Sequence, residues 1–472
     1  MEWMGKRVSV VGLGKSNLAL IRYLVRHGAL VTAHDQKSEA ELGSAYDELC
    51  ALGVEMRLGP GYLEGLEAAE GIFLTPGMRK DLEEIRRARE AGVPVSTEIN
   101  LFFDRCRAPI IGITGSSGKT TTTTLIGSIL EASGLKVYVG GNIGRPLIEL
   151  VDEIDPSAVV VLELSSFQLE LLRKSPRIAV VTNISPNHLD IHRTMEAYVD
   201  AKRHIFRYQG PQDVAVFNRD DPAVAAMAQE APSRTVWFSR SQEVDDGAFI
   251  AGGRVILSRR VRGERSLIDV CAVSDILLRG EHNLENVLAA CAVGHLLGAT
   301  AGTLREVVTS FTGVAHRLEL VREAGGVRYY NDSIATSPAR AVAGLRSFEE
   351  PVVLIAGGYD KQLPFDEFAE VAVERARAVF LIGQAAVRIR DAIERAAERR
   401  GGGPWVQLCA SLDEAVQRAK EAARPGDVVL LSPACASYDM FHNFEQRGER
   451  FRKVVHSLTE EEAAPDIERV DA

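Results

Sequence analysis

Length, composition and charge already exclude several classes of protein. The chain has 472 residues, which indicates roughly three domains at about 150 residues per domain. Lys and Arg number 55 against 65 Asp and Glu, a net charge of −10, so no basic excess exists for nucleic acid or anionic membranes. Its start indicates a β-strand rather than a secretory signal, and no apolar run reaches the about 18 residues of a membrane span. We therefore expect a soluble, cytoplasmic protein.

Short apolar strands alternate with helical patterns along the chain. Runs of β-branched residues that end in Gly, Ser, Asn or Asp are typical of parallel strands buried on both faces. The predicted strands include 8–11, 110–113, 159–164, 178–182, 352–356, 379–382 and 428–431. Amphipathic helices are predicted between them, for instance over 81–91 and 412–423. The pattern predicts an α/β protein with repeated, doubly wound, mainly parallel sheets.

Two breaks in this pattern divide the chain into three predicted domains. Residues 103–109 are charged and end in a proline, and residues 309–316 separate a helical pattern from a hairpin-like segment. Cuts at these breaks give domains over 1–107, 108–313 and 314–472. Within the second domain, residues 248–272 predict a small antiparallel insert without obvious chemistry, with turns at 252–253 and 262–263.

A glycine-rich loop joins a predicted strand to a predicted helix at residues 115–121, GSSGKTT. Glycines let backbone N–H groups point at a phosphate, Lys119 can reach the outer phosphates, and the Thr120 hydroxyl can bind Mg²⁺. Ile113 stands where a Walker pattern has its first glycine, so the loop is a shortened variant. A serine-rich turn with an incidental lysine is the alternative, which the order strand, loop, helix disfavours. We predict a nucleoside triphosphate site.

A second glycine loop, with Gly12 and Gly14, also follows a strand and opens a helix. Asp35 ends the next predicted strand, about where dinucleotide-binding folds place a ribose-binding acid. However, Asn17 replaces the third glycine of that fingerprint. A turn that serves packing alone is a strong interpretation, because many α/β domains have one. A nucleotide-diphosphate site is the alternative, and the pattern does not establish NAD.

Two polar residues follow neighbouring predicted strands. Glu163 ends the strand at 159–164, and His188 lies just beyond the strand at 178–182. Ligands of open α/β sheets bind where the carboxyl ends of strands meet. A carboxylate together with the Thr120 hydroxyl suits Mg²⁺ held against nucleotide phosphates. By itself His188 would be an ordinary loop histidine, but the shared sheet edge favours a site.

Lys202 lies on the apolar stripe of the helix predicted after the cap Thr194. Its neighbours on that stripe are Met195, Tyr198, Val199, Ile205 and Phe206. The default interpretation is that its amine reaches out to solvent. A partly buried lysine can instead have a depressed pKa, and carbamylation by CO₂ would make it an anion suited to a magnesium site. The residues alone leave both interpretations open.

Several motifs, in one order, resemble the Mur ligases of peptidoglycan synthesis. They are residues 114–120 (TGSSGKT), 141–144 (GNIG), 163–168 (ELSSFQ), the His188 segment, 282–286 (HNLEN), 316–319 (HRLE), 331–333 (NDS), 432–437 (SPACAS) and 444–448 (FEQRG). The similarity covers nearly the whole chain, and its last motifs are closest to the D-glutamate-adding member. It implies a Rossmann-like N-terminal domain, a central P-loop ATPase-like domain and a Rossmann-like C-terminal domain.

The resemblance also implies an activity. It is that of an ATP-dependent ligase that joins D-glutamate to UDP-N-acetylmuramoyl-L-alanine through an acyl phosphate, releasing ADP and phosphate. We expect ATP and one or two Mg²⁺ ions as cofactors, with Lys202 N-carbamylated. The expected partners are these small molecules only, without nucleic acid and without a membrane span, and the expected state is a monomer.

Each implied role falls on particular residues of this chain. The resemblance assigns catalysis to Lys119, His188 and Lys202, and the metal to Thr120, Glu163, His188 and carbamylated Lys202. It assigns ATP to Gly115, Ser116, Ser117, Gly118, Lys119, Thr120, Thr121, Asn283, Asn286, Arg317 and Asp332. It assigns the UDP-substrate to Gly14, Lys15, Ser16, Asp35, Gln36, Thr75 and Asn142. It assigns D-glutamate to Thr336, Lys361, Ser437 and Phe444.

One departure from the family pattern is Ile334. Many relatives have a lysine at this position, two residues after Asp332. Compensation by Lys361 or Arg317 is the interpretation we favour, and an altered amino-acid choice or rate is the alternative. Another Mur or folylpolyglutamate-type ligase, and a nicotinamide oxidoreductase that uses the Gly12 loop, remain as competing functions.

Overall fold

Three sheets with helices between their strands organise the computed structural model, which describes residues 3–144, 146–261, 264–278 and 280–458. Over these ranges the chain forms two units. The first runs to Ile276 and resumes over His282–Ser310, and the second comprises Leu277–Glu281 and the chain from Phe311 onward. The first unit holds two of the sheets and the second unit holds the third.

The first sheet has five parallel strands in the order β3-β2-β1-β4-β5. These strands are β1 Arg7–Val11, β2 Leu30–Asp35, β3 Glu55–Leu58, β4 Gly71–Leu74 and β5 Val95–Ser96. Their helices are α1 Lys15–Arg26, α2 Glu39–Leu42, α3 Ser44–Ala51, α4 Glu83–Glu90 and α5 Glu98–Arg105. The residues of β1 and β4 are almost entirely buried, as expected for parallel strands covered by helices on both faces.

The second sheet has nine strands in the order β14-β13-β12-β11-β10-β9-β6-β8-β7. They are β6 Ile110–Thr114, β7 Val137–Gly141, β8 Val159–Glu163, β9 Ile178–Val181, β10 Val214–Asn218, β11 Arg234–Ser239, β12 Gly247–Ala251, β13 Arg254–Val261 and β14 Glu264–Ala272. The helices are α6 Lys119–Ala132, α7 Ser166–Leu169, α8 Leu189–His192, α9 Met195–Arg207, α10 Pro222–Met227, α11 Glu281–Leu296 and α12 Ala301–Ser310.

The predicted insert at 248–272 is part of this second sheet. Strands β12, β13 and β14 pair antiparallel, and β12 pairs parallel with β11, so the sheet continues into the hairpins without a break. Gly252 and Gly253 form the first predicted turn, both with positive φ. The second predicted turn, at 262–263, lies outside the described residues.

The register of the central strands creates the site. In β6, Ile113 pairs with Glu163 of β8, and Thr114 pairs with Val181 of β9. The glycine-rich loop, Glu163 and the segment after β9 therefore emerge at the same edge of the sheet. This is the position where open α/β sheets bind ligands.

The third sheet, in the second unit, has the order β15-β16-β20-β17-β18-β19. Its strands are β15 Glu319–Ala324, β16 Val327–Asn331, β17 Val352–Gly357, β18 Ala376–Ile382, β19 Trp405–Leu408 and β20 Val428–Leu431. Its helices are α13 Pro338–Leu345, α14 Asp366–Arg375, α15 Ala386–Arg400, α16 Leu412–Ala422 and α17 Phe444–Ser457. Strands β15 and β16 form an antiparallel hairpin, and the other strands pair parallel.

The structure confirms the predicted fold class: α/β, mainly parallel, in three sheets. The helices predicted at 81–91 and 412–423 are α4 and α16. Domain boundaries at 107 and 313 stay predictions. Over the described ranges, the helices are all too short or too polar to cross a membrane.

Candidate active site

The phosphate loop connects β6 to α6, and Lys119 is the first residue of that helix. Gly118, at the helix start, has a φ of 78°, a left-handed conformation that favours glycine. A Cβ at Gly118 would lie 2.2 Å from Asn286 Oδ1, and a Cβ at Gly115 would lie 1.9 Å from Thr182 Oγ1. Both glycines are therefore required by close packing as well as by backbone conformation.

Side chains from the segment after β9 hold this loop in shape. Asn183 Oδ1 accepts hydrogen bonds from the backbone N–H of Ser117 (2.9 Å) and from its hydroxyl (3.2 Å). Ser116 Oγ accepts from the N–H of Ser185 (2.8 Å) and donates to the Ser185 carbonyl (2.9 Å). Since its one proton is used there, the Tyr198 hydroxyl 2.9 Å away is the donor of the remaining bond. The two serines assigned to ATP thus also fix the loop.

The side chain of Lys119 contacts the backbone of the phosphate loop. Its Nζ donates to the carbonyl oxygens of Gly115 (3.0 Å) and Ser116 (3.2 Å). An ammonium held by loop carbonyls is close to the backbone groups that would surround a phosphate. That Lys119 binds the outer phosphates stays a prediction.

The carboxylate of Glu163 contacts residues of two predicted sites. Thr120 Oγ1 donates to its Oε2 at 2.7 Å, and Asn142 Nδ2 donates to its Oε1 at 2.9 Å. The side chain is 3% exposed, so both oxygens depend on these partners. The structure therefore places Asn142, assigned to the UDP-substrate, at the phosphate loop, and it brings together the predicted metal ligands Thr120 and Glu163.

Lys202 is 1% exposed, so the default interpretation, in which its amine reaches solvent, is wrong. Its Nζ donates to the Gly115 carbonyl at 2.9 Å and to Thr114 Oγ1 at 3.3 Å, and it lies 4.7 Å from the centre of the Tyr198 ring. Burial, followed by the charge of Lys119, lowers the pKa of Lys202 well below its ordinary value, although Glu163 opposes this effect. A neutral amine is thereby favoured beneath the phosphate loop.

His188 lies in the exposed segment after β9 and has a φ of 55°. Its ring packs at 5.0 Å from that of Phe167, which stacks at 4.9 Å on His192. His192 Nε2 is 2.9 Å from Ser166 Oγ. The aromatic contacts hold the His188 segment beside the loop after β8, on the same sheet edge as Glu163.

The adenine-side residues predicted from the family are on α11. Asn286 Oδ1 accepts from Thr122 Oγ1 at 3.1 Å, and Asn286 Nδ2 donates to Asn283 Oδ1 at 3.0 Å. Both asparagines are buried, and so is Thr121 in the first turn of α6. The structure therefore connects this pair of asparagines directly to the helix that follows the phosphate loop.

Beside the first glycine loop, both carboxylate oxygens of Asp35 accept hydrogen bonds from the backbone. Asp35 Oδ2 accepts from Leu13 N at 2.7 Å, and its Oδ1 accepts from Lys37 N at 3.0 Å. A Cβ at Gly12 would lie 2.5 Å from Thr75 Cγ2, so Thr75 packs closely on the loop. Gly14 and Gln36 are exposed there and Ser16 is half-buried.

Lys15 extends from this loop toward the central sheet. Its Nζ donates to the Gly144 carbonyl at 2.8 Å, and Gly144 belongs to the segment that also contains Asn142. The predicted UDP-substrate residues therefore span the first two sheets, which both lie in the first unit.

The predicted D-glutamate residues gather in the second unit. Lys361 Nζ is 3.5 Å from the Thr336 carbonyl, and Ser333 Oγ donates to the Phe444 carbonyl at 2.8 Å. Ser437 is buried, and its carbonyl accepts from Met440 and Phe441 N–H groups. Thr336 follows β16, Lys361 follows β17, and Ser437 and Phe444 both follow β20.

Asp332, predicted to contact the nucleotide, is a buried carboxyl at the end of β16. It accepts from Ser432 Oγ at 2.8 Å and from Leu318 N at 3.3 Å. Burial raises the pKa of Asp332 to about 7, although these hydrogen bonds and the charges of Arg317 and Arg340 oppose the rise. Asp332 and Arg317 thus belong to one electrostatic cluster.

Arg447 is a structural element that sequence reasoning missed. It is 1% exposed, and its guanidinium donates to Ser333 Oγ (3.0 Å) and to the carbonyls of Ser333, Cys435 and Ala436 (2.8 to 3.2 Å). Burial lowers its pKa to about 10. The sequence motif included this arginine, but nothing local showed that it ties together the segments of the predicted amino-acid pocket.

The donor set at Glu163 fits Mg²⁺. In the described ranges there is no group of three or more His, Cys, Asp or Glu side chains suited to a metal ion. Magnesium needs no such cage, because it commonly takes one or two carboxylates, waters and the phosphates of its nucleotide. The carboxylate of Glu163 and the hydroxyl of Thr120 supply the hard oxygen atoms at the phosphate loop.

The site and the three sheets define an ATP-using ligase architecture, and comparison with known families agrees. Residues 6–97 match the model "Mur ligase MurD-like, N-terminal domain", residues 113–294 match "Mur ligase middle domain", and residues 316–435 match "Mur ligase, glutamate ligase domain". The chain belongs to the Mur ligase family.

Several similar curated relatives share one name. The UDP-N-acetylmuramoylalanine--D-glutamate ligase of Symbiobacterium thermophilum is 55% identical over 458 residues, 96% of this chain and 98% of the relative. The proteins of the same name from Clostridium novyi and Acetivibrio thermocellus are 48% and 47% identical, each over 96% of this chain and 97% of the relative.

Solved structures confirm the fold. UDP-N-acetylmuramate-alanine ligase MurC from Thermotoga maritima matches with a TM-score of 0.56 at 20% identity, over 96% of this chain and 99% of that one. The MurF ligase of the same organism, solved with ADP, matches with a TM-score of 0.53 at 18% identity, over 96% of each chain.

Proposed function

We propose that this chain joins D-glutamate to UDP-N-acetylmuramoyl-L-alanine with the consumption of ATP, a step of peptidoglycan precursor synthesis. The observation that carries the proposal is the Glu163 carboxylate, which accepts from Thr120 of the phosphate loop and from Asn142 of the predicted acyl-substrate segment. One buried group would thus connect the proposed positions of the two substrates that react first. The curated relatives at 47–55% identity carry the name of this activity.

The reaction needs an activated carboxylate. The alanyl carboxylate of the UDP-substrate attacks the γ-phosphorus of ATP, which gives an acyl phosphate and ADP. The amine of D-glutamate then attacks the acyl carbon, an amide forms, and phosphate leaves. Positioning and charge compensation are the protein's main contributions, because such phosphoryl transfers involve little covalent chemistry by the enzyme.

The phosphate loop and its neighbours supply that compensation. Lys119 would turn from the Gly115 and Ser116 carbonyls toward the outer phosphates, and the loop N–H groups would donate to phosphate oxygens. Thr120 and Glu163 would hold Mg²⁺, which would supply positive charge to the phosphates of ATP. His188 and solvent are the candidates for taking the proton of the incoming amine.

Carbamylation of Lys202 is part of the proposal. Its Nζ is buried 2.9 Å from the Gly115 carbonyl, and its lowered pKa favours the neutral amine that reacts with CO₂. The carbamate would carry a negative charge in a pocket next to Lys119, whose charge acts on Lys202 in this structure. It would add an oxygen ligand for Mg²⁺, in line with the hard-oxygen preference of that ion.

The remaining roles are proposed from the residues' placement. Asn283 and Asn286 would face the adenine, Arg317 and Asp332 the nucleotide, and Thr336, Lys361, Ser437 and Phe444 the D-glutamate. The UDP moiety would lie at the first glycine loop. There the backbone already occupies both oxygens of Asp35, so we expect Asp35 to shape the loop, with Lys15, Ser16 and Gln36 nearer to the ligand. A cytoplasmic location and a monomeric state complete the proposal.

Phosphate release from ATP tests the activity. We expect release only when UDP-N-acetylmuramoyl-L-alanine and D-glutamate are both present, and not with L-glutamate, L-alanine, L-lysine or meso-diaminopimelate. Release with another amino acid would overturn the specificity, and stimulation by a folate would indicate a folylpolyglutamate-type ligase. Oxidation of a nicotinamide cofactor without phosphate release would indicate the oxidoreductase.

A pair of lysine variants provides the internal control. Lys119→Ala should lose phosphate release, because it removes the loop cation. Lys174→Ala should keep it, because Lys174 is exposed and its partner is the surface residue Asp104. Equal loss in both variants would contradict the assignment of the phosphate loop.

A further inference from the structure

Two exposed cationic side chains contact the segment after β16. Arg340, the third residue of α13, donates from Nη1 to the Ile334 carbonyl at 3.4 Å, and Lys361 donates to the Thr336 carbonyl at 3.5 Å. Both side chains are exposed, and neither forms an ion pair with any residue the structure describes. Two cations from different elements therefore converge on three consecutive residues.

Among the described residues, the nearby acidic groups form no ion pair with Arg340 or Lys361. Asp360, next to Lys361, pairs with Arg388. Asp332 is buried at the other end of the segment and accepts from Ser432 and Leu318. Cations that remain uncompensated around a functional segment attract anionic ligands.

Arg340 lies between two predicted ligand positions. The positive charge of Arg340 acts on Asp332, the predicted nucleotide residue. The guanidinium of Arg340 also donates to the Ile334 carbonyl. Ile334 lies two residues before Thr336, which is assigned to the predicted amino-acid pocket. Ile334 itself contributes no charge to this segment. The guanidinium of Arg340, in the first turn of α13, can supply a positive charge to the same segment from a different position in the sequence.

We propose that Arg340 binds an anionic oxygen of a substrate, and that it supplies from α13 the positive charge that Ile334 lacks. This inference rests on the proposed function. The oxygen belongs either to a phosphate of ATP or to a carboxylate of D-glutamate, both of which a guanidinium binds through paired N–H groups. The weak 3.4 Å contact with a carbonyl would be exchanged for this stronger, charge-assisted contact.

Substitution of Arg340 tests the proposal against a matched arginine. Arg346→Ala is the control, because Arg346 is exposed at the other end of α13 and pairs with Glu367 at 3.6 Å. We expect Arg340→Ala to raise the KM for one anionic substrate about 10-fold or more, and Arg346→Ala to leave it unchanged. A rise in the KM for ATP assigns a phosphate, and a rise in the KM for D-glutamate assigns a carboxylate. The KM for the UDP-substrate should stay the same in both variants.

Rescue distinguishes binding from a structural effect. In the double variant Ile334→Lys with Arg340→Ala, the new lysine restores a cation to the same segment, and the raised KM should fall back toward that of the unmodified chain. Arg340→Lys, which keeps the charge but not the paired geometry, should give an intermediate KM. Equal thermal midpoints of the variants exclude misfolding.

The overturning results are equally specific. Unchanged KM and kcat in Arg340→Ala, or the same change in Arg346→Ala, would refute the role of Arg340. If the unmodified chain released no phosphate with D-glutamate and the UDP-substrate, the proposed function itself would fail.

Discussion

The Nζ of Lys202 lies 2.9 Å from the carbonyl oxygen of Gly115, the first residue of the phosphate loop. This contact joins a buried amine on α9 to the backbone that is expected to surround the triphosphate. The amine is enclosed by Thr114 and the Tyr198 ring, so its charge is poorly solvated. A buried lysine whose pKa lies well below its ordinary value is thereby placed beneath the phosphate loop.

Replacement of Lys202 tests the proposed carbamate. We expect Lys202→Ala to lower the rate of phosphate release about 100-fold or more, because it removes a ligand at the developing charge. Added short carboxylates should restore part of the rate, because acetate or formate can enter the space of the missing carbamate. Near-normal activity of Lys202→Ala without any effect of carboxylates would contradict the carbamate, and Lys174→Ala again serves as the control.

Removal of the Glu163 charge should weaken magnesium binding. In Glu163→Gln the side chain has one acceptor oxygen and no charge, so it can no longer accept from both Thr120 and Asn142 and no longer offers a carboxylate to Mg²⁺. We expect the Mg²⁺ concentration for half-maximal phosphate release to rise about 10-fold or more. Glu153→Gln, at an exposed position, should leave this concentration unchanged.

Asp332 should make the second unit less stable as the pH rises. Its pKa is 3.8 when unperturbed and about 7 in the fold, so between these values the folded protein keeps a proton that the unfolded chain has lost. Stability from this group is therefore present at low pH and is lost as the pH rises toward 7. In Asp332→Asn, which cannot ionise, the thermal midpoint should fall less between about pH 5 and about pH 8 than in the unmodified chain.

The control for this prediction is Asp391→Asn, which changes a partly exposed carboxylate in the same unit. Its pH profile should match that of the unmodified chain. Parallel profiles for all three proteins would show that Asp332 does not retain its proton in the fold.

Arg447 should be important for stability as well as for the amino-acid pocket. Arg447→Met leaves the carbonyls of Ser333 and Cys435 without their donor, at a cost of about 1 kcal/mol each, or about 2 kcal/mol in total, while the Ala436 carbonyl still accepts from the Tyr359 N–H. Urea unfolding of the second unit should show this loss, and the KM for D-glutamate should rise more than the KM for ATP. Arg450→Met, on the same helix but exposed, should have little effect on either measurement.

Local patterns predicted the fold and the phosphate loop well. Strand β20 was predicted at its observed bounds, and the helix that carries Lys202 begins after the cap Thr194, whose Oγ1 accepts from Ala197 N. These features depend on neighbours in sequence, through apolar periodicity, glycine conformation and capping. The hairpins at 248–272 were correctly predicted as antiparallel, but their continuation of the central sheet was not visible, because it depends on pairing with β11.

Partners far apart in sequence were decided by the tertiary structure alone. The sequence by itself determined the three α/β parts, the loop that can hold a triphosphate, and the residue types available at each strand end. The sequence did not decide whether the Lys202 amine reaches solvent. It also did not show that Glu163 accepts hydrogen bonds from both Thr120 and Asn142. The acceptors of Arg340 and Arg447 were not visible in it either. Burial and long-range hydrogen bonds arise only when separate elements pack together, and burial is what shifts the pKa of Lys202 and Asp332.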